Sequence, residues 1–378
     1  MEIKGQCEDR FESVRDLFEE LHDSKREKGS SFSVYKNGEA IIDIWSGYSD
    51  ADETKLWERN SLATVWSTTK GVAAITCALA VERGLLDYSE KVSHYWPEFS
   101  VNGKEDITVE MLLSHQAGIC GAQTNEVNDF YDQELMASKL ANMKPIWEPG
   151  TASGYHSMTF GWLTTELIKR VTGKTLGVYF REEIGNDRDI DFYIGLPESE
   201  ENRVAEMIPF SKEENNQNEN AEPNDAQKAS GSGPNLLRPQ NTRAWRAAEI
   251  PSANGQGSAC GLAKLYSLVV PSDPSLKILK DSTVDEMTRS RIEGRDMVLG
   301  VVTRWAAGFI MNKHKVIYGP VEESFGHSGF GGSCAFGDPK NKLGISYVMN
   351  KMKNNAAGDG RSITLINETY KCLNIINQ

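Results

Sequence analysis

The chain has 378 residues, enough for one large core or for two layers of a composite domain. Hydrophobic residues make up 39% and charged residues 25%, the balance of a globular chain and not of a disordered one. A formal net charge of −13 argues against nucleic acid and anionic membranes as partners, without excluding a local basic pocket.

The first residues, from Met1 to Arg10, lack the apolar run of a secretory leader. No stretch is long and apolar enough for a bilayer span. The cysteines at 7, 77, 120, 260, 334 and 372 have no Cys-x-x-Cys spacing, so they are expected to be reduced thiols, mostly buried. The expected location is therefore cytoplasmic, and the Asn367-Glu368-Thr369 sequon is expected to be idle. No cofactor or metal motif is read.

Phe11, Val14, Leu17, Phe18 and Leu21 recur at helical spacing and predict an amphipathic helix within 8–28. Ser31–Tyr35 and Ala40–Trp45 flank Asn37-Gly38, a strong hairpin signal. Thr108 is placed at the cap of a short helix, and Met158–Thr172 reads as a helix stopped by Gly173. The stretch 211–226 is poor in apolar residues and reads as a mobile loop, either a tolerated insertion or a lid. Trp305–Met311, Ser333–Gly337 and Leu343–Asn350 read as strands, followed by a helix near 362–373. The expected fold class is α+β: an antiparallel sheet from 1–66 and 291–378 with helices packed on it, and a mostly helical insertion, 67–290.

Within that insertion, Ser67-Thr68-Thr69-Lys70 puts a serine and a lysine one helical turn apart on one face. A lysine of lowered pKa can take the serine proton, and the helix N-terminus adds free N–H groups and a positive dipole end. The plain alternative is an N-cap serine followed by a solvated lysine. Apolar Val72, Ile75 and Leu79, then Gly84, predict an amphipathic helix behind this pair.

Two further segments could carry chemistry. Tyr155, after the Glu148-Pro149-Gly150 turn, could act as general acid or base if a lysine lowers its pKa; loop tyrosines are otherwise packing residues. Gly326–Ser333 is a glycine-rich lead into a strand, where backbone can approach a ligand, and His327 could bond a substrate or cap a turn. His115 has no partner at metal-ligand spacing and reads as structural.

Taken in order, Ser67-Thr68-Thr69-Lys70-Gly71, Leu112–Gly118, Glu148-Pro149-Gly150, Tyr155-His156-Ser157, Gly257-Ser258-Ala259 and His327-Ser328-Gly329 resemble the serine β-lactamase-like superfamily. That group holds class C β-lactamases, D-alanyl-D-alanine carboxypeptidases, family VIII carboxylesterases and animal β-lactamase-domain proteins. The resemblance covers about Phe32 to Met352.

It implies that Ser67 is the acyl-accepting nucleophile, Lys70 its base and Tyr155 a shared general acid/base, with Lys70 keeping Tyr155 partly anionic or being itself partly neutral. Ser157, His327, Ser328, Gly329 and Ser333 would be substrate-binding. The N–H of Ser67 and one at or near Ser333 would form an oxyanion hole. Two positions depart from the family pattern: Ser157 stands for its asparagine and His327 for the lysine of Lys-Thr-Gly. A largely neutral histidine is a weaker carboxylate anchor, which favours ester, lactone or small amide hydrolysis over β-lactam turnover. A scaffold or assembly protein on the same fold, and an acyltransferase using the same residues, stay as alternatives.

Overall fold

The computed structural model describes residues 2–210, 222–355 and 358–374. Its main sheet contains β1 (Lys4–Cys7), β2 (Gly29–Lys36), β3 (Glu39–Gly47), β7 (Ile292–Arg295), β8 (Val302–Trp305), β9 (Ile310–Met311), β10 (Phe325–Ser328), β11 (Cys334–Asp338) and β12 (Leu343–Met349). A small sheet holds β4 (Ala63–Thr64), β5 (Phe192–Tyr193) and β6 (Gln256–Gly257). The main sheet runs β1-β3-β2-β12-β11-β10-β9-β8-β7, with every neighbouring pair antiparallel. The β2–β12 ladder, where Phe32 faces Tyr347, joins strands from the two ends of the chain.

The β2–β3 hairpin forms where the Asn-Gly pair predicts it. Asn37 (φ 52°) and Gly38 (φ 76°) both take the left-handed conformation that a two-residue hairpin turn needs. Side chains alternate across each strand, so Gly344 and Tyr347 of β12 point to opposite faces. On the Gly344 side lies the helix Ala259–Val269, packed on β2, β11 and β12. A Cβ at 344 would come within 2.0 Å of the Ala263 carbonyl, so only glycine admits this approach. On the Tyr347 side the helices Glu12–Asp23 and Gly360–Cys372 pack on each other.

The second helix, Thr69–Glu82, differs from expectation. It is not amphipathic: every residue from Thr69 to Ala80 is buried. Thr76, Cys77, Ala78 and Ala80 face neighbouring protein as the aliphatic positions do, because the helix runs through the middle of the molecule. It packs on the helix Thr159–Thr172 and on β10.

Other expectations are sharpened or corrected. The first helix spans Glu12–Asp23, Thr108 Oγ1 accepts the Met111 N–H at 3.3 Å as a cap, and Gly173 (φ 74°) ends Thr159–Thr172. The run 305–311 is two strands, β8 and β9, separated by a bend at Gly308 (φ 86°). A Cβ there would fall 2.6 Å from Ala74 Cβ, so close packing on the central helix breaks the strand. The helix Ala259–Val269, assigned by sequence to the insertion, belongs by its contacts to the sheet. Most of the 211–226 loop lies outside the described residues. Its end is not loop: Asp225–Ser230 is a helix, opened by an Asn224–Gln227 capping box.

Beneath the Tyr347 face, Arg361 is 1% exposed and ties three segments together. It donates to Glu27 Oε2 (3.0 Å), to Asp359 Oδ2 (2.8 Å) and Oδ1 (3.0 Å), and to the carbonyls of Gly331 (3.1 Å) and Lys351 (2.9 Å). Tyr347 donates to Glu27 as well. Losing one member of such a buried network leaves the others desolvated and unpaired. Arg361→Ala should therefore cost about 3–5 kcal/mol, read as a lower urea midpoint at unchanged slope. A loss below about 1 kcal/mol would show that these charges are not coupled.

Candidate active site

Ser67 lies in a short 3-10 turn, Trp66–Thr68, that leads into the helix Thr69–Glu82. From Ser61 to Ala80 it is the one residue that is not buried. Trp66, just before it, has φ 48°, a strained conformation for a bulky residue. The surroundings hold that strain in place. The Trp66 carbonyl accepts from Thr69 Oγ1 (2.5 Å), which in turn accepts the Gly255 N–H (3.0 Å). The Val65 carbonyl accepts from Ser333 Oγ (2.8 Å), and the Trp66 ring packs against Trp245 and Phe330.

Lys70 is fully buried. Its Nζ lies 3.2 Å from Ser67 Oγ, 2.7 Å from the Ser157 carbonyl and 2.8 Å from the Ser252 carbonyl. Burial holds its pKa well below the ordinary value of 10.5, and no neighbouring charge counters that effect. A neutral amine has two N–H donors and one lone pair. The two carbonyls take the donors, which leaves the lone pair for the hydroxyl of Ser67.

Tyr155 comes to the same hydroxyl from the loop before the helix Thr159–Thr172, and its side chain is hydrogen-bonded to Ser67. Lys70 Nζ lies 4.7 Å from the centre of its ring. The ring stacks on Trp305 (5.7 Å, 6° between planes) and on His327 (5.8 Å, 27°), and meets the edge of His115 at 5.1 Å. The sequence left open a tyrosine made partly anionic by Lys70. Burial raises the pKa of this phenol, with Asp296 adding to the rise, so burial favours the neutral form of Tyr155 as it does that of Lys70.

The imidazoles beneath the ring are uncharged too. His156 donates through Nδ1 to the Gly154 carbonyl (2.8 Å) and accepts the Ile119 N–H at Nε2 (3.2 Å), and burial pushes its pKa down to about 4. His115 accepts the His156 N–H at Nδ1 (3.2 Å), which agrees with its structural reading. His327 donates from Nδ1 to the Ser328 carbonyl (2.9 Å); burial, then the nearby Lys70, pushes its pKa down to about 3. His327 Nε2 is buried without a partner among the described residues.

The expected substrate-binding residues therefore differ in placement. His327 is 2% exposed and lies behind Tyr155. Ser328 Oγ pairs with Tyr318 Oη (3.2 Å), and Ser333 Oγ holds Val65 and Thr68 from below. A Cβ on Gly329 would come within 2.1 Å of the Val65 carbonyl, so glycine lets this hairpin press on the nucleophile turn. Ser157 is half-buried; its carbonyl serves Lys70 and its Oγ meets Ser230 Oγ at 3.0 Å. Sequence reasoning missed Ser252 and Trp305. A backbone carbonyl has no sequence signal, and Trp305 read only as a strand residue. The described residues contain no cluster of three or more His, Cys, Asp or Glu suited to a metal, and no helix long and apolar enough to cross a membrane.

The serine, lysine and tyrosine thus meet beside an antiparallel sheet, and sequence comparison gives the family of the chain. Residues 14–368 match the family described as Beta-lactamase, and the chain belongs to that family. The esterase/beta-lactamase LipL of Mycobacterium tuberculosis (strain ATCC 25618 / H37Rv) is 32% identical over 364 residues, covering 93% of this chain and 83% of that protein. Among solved structures, a family VIII carboxylesterase is 42% identical with a TM-score of 0.90, covering 98% of this chain and 100% of its own. A penicillin-binding protein homologue from Caulobacter crescentus is 38% identical with a TM-score of 0.91 and the same coverage.

The protonation state of Lys70 sets a pH dependence. Below its lowered pKa the ammonium has no lone pair, so Ser67 should lose reactivity as pH falls. His156 and His327, near 4 and 3, are already neutral above that range. The rate at which a fluorophosphonate modifies Ser67 should show a single acidic limb, retained in His327→Gln. A rate with no acidic limb at any pH where the protein stays folded would contradict a titrating Lys70.

Proposed function

We propose that this protein is a serine hydrolase that cleaves a small ester, lactone or amide through an acyl-enzyme on Ser67, with esterase-like preference and little β-lactam turnover. The observation that carries this reading is the shell of Lys70: two carbonyls on a buried, desolvated amine whose third neighbour is Ser67 Oγ.

In the proposed cycle Lys70 Nζ takes the proton of Ser67 as Oγ bonds to the substrate carbonyl carbon. The Tyr155 phenol, in the same hydrogen-bond cluster, gives its proton to the departing oxygen and recovers one from Lys70. Water then attacks the acyl carbon, its proton passes to the same pair, and Ser67 leaves with a proton. The backbone N–H of Ser67, at the start of the helix, is the proposed donor to the developing oxyanion, with a second from the Gly329–Ser333 hairpin. Small molecules are the proposed substrates, and cytoplasmic the proposed location.

Esters are favoured over β-lactams by the charge state of the site. A penicillin or cephalosporin carries a carboxylate, and His327, neutral in the physiological range, offers it no cation. The similarity to a family VIII carboxylesterase structure supports the esterase reading.

Three measurements test this reading. A fluorophosphonate should add to wild type and not to Ser67→Ala, by intact mass. p-Nitrophenyl butyrate should be cleaved with higher kcat/KM than nitrocefin; the opposite order would overturn the preference. Tyr155→Phe should cut kcat about 10²–10⁴-fold with Tm nearly unchanged, whereas activity within a few-fold of wild type would remove Tyr155 from the mechanism.

A further inference from the structure

A fully buried carboxylate, Asp296, lies under the site with no part in the chemistry above. Its Oδ1 accepts the backbone N–H groups of Tyr155 (3.0 Å), Val298 (3.0 Å) and Leu299 (2.9 Å). Its Oδ2 accepts the indole N–H of Trp305 (3.1 Å). Its backbone is fixed as well: the Asp296 N–H donates to the Val301 carbonyl (2.9 Å), and the adjacent Met297 N–H donates to the Ser153 carbonyl (2.8 Å).

These bonds join three separate pieces: the loop 153–155, the turn 296–300 and the end of β8. Two of them act on one tyrosine. The carboxylate grips the backbone of Tyr155 and, through its other oxygen, orients the indole plane on which the Tyr155 ring lies at 6°. The two oxygens together accept from four N–H groups, whereas an amide would turn an N–H toward one of them. A single side chain thus sets both the root and the platform of the phenol.

We infer that Asp296 is the positioning residue that aims the Tyr155 hydroxyl at Ser67, by binding the Tyr155 backbone and the Trp305 indole with one carboxylate. This rests on the proton-transfer role proposed for Tyr155. The same carboxylate also acts through its charge. The groups facing Tyr155 are Lys70 from the central helix, His115 and His156 from their loops, His327 from β10, and Asp296. The negative sign of Asp296 favours the protonated phenol.

The test is steady-state kinetics on p-nitrophenyl butyrate for wild type, Asp296→Asn, Trp305→Phe and Tyr155→Phe, with kcat and KM measured separately. Asp296→Asn should lower kcat about ten- to a hundredfold, as expected for a misplaced proton donor, and change KM by less than about threefold. Trp305→Phe keeps the stacking ring and the carboxylate but loses the N–H, so it should lower kcat less, again with KM little changed. An unchanged kcat in Asp296→Asn, or a loss carried by KM and not by kcat, would overturn the inference. If Asp296→Asn does not fold, an unchanged kcat in Trp305→Phe overturns it. Loss of activity in Tyr155→Phe with full activity in Asp296→Asn defeats this inference alone; full activity in Tyr155→Phe defeats it together with the proposed mechanism.

Discussion

Burying Lys70 without an opposing carboxylate is the constraint around which the site is built. An isolated ammonium is expensive in a dry interior, and the usual remedy is an ion pair. Here desolvation favours the neutral amine instead, and two carbonyls take its N–H donors. Those carbonyls come from Ser157 and Ser252, so two distant stretches of chain must meet at one nitrogen. The strained turn at Trp66, the buried central helix and the hairpin Gly329–Ser333 all serve to keep Ser67 in front of that amine.

The same economy extends to the groups around Tyr155. A lysine near a tyrosine is often imagined to make a phenolate, and here burial opposes both charges at once. Around Ser67 the favoured forms are neutral donors and acceptors, with the Asp296 carboxylate set behind the tyrosine. Such a site suits an uncharged carbonyl compound. It fits the departure at His327, where a lysine would place a second buried amine against the first.

Much of this was legible in the sequence where a local rule has a local cause. Asn37-Gly38 specifies its turn because few other pairs tolerate two successive left-handed residues. Ser67 and Lys70 are readable because helical spacing alone brings them together. Ser252 was not, since its carbonyl meets Lys70 from 182 positions away and any residue type could supply it. Asp296, in Gly-Arg-Asp-Met, looks like a solvated loop residue until tertiary structure covers it. The central helix was misjudged for a related reason: its small and polar residues look outward in the sequence and are enclosed by the rest of the fold. The edge strand β1 carries Lys, Gly and Gln, a composition that signals a strand only once β3 is beside it.

The order of strands in the main sheet also bears on how the molecule is made. An interior ladder joins β2 to β12, so one partner is synthesised early and the other roughly 300 residues later. At about 5–20 residues per second on the ribosome, the β2–β3 hairpin waits on the order of 15–60 s for the strand that covers its inner edge. During that interval the open edge of β2, which carries Phe32, Val34 and Tyr35, is exposed to other chains. The cellular yield of this protein should therefore depend on holdase chaperones and on translation speed through the long middle segment, more than on the stability of the finished fold.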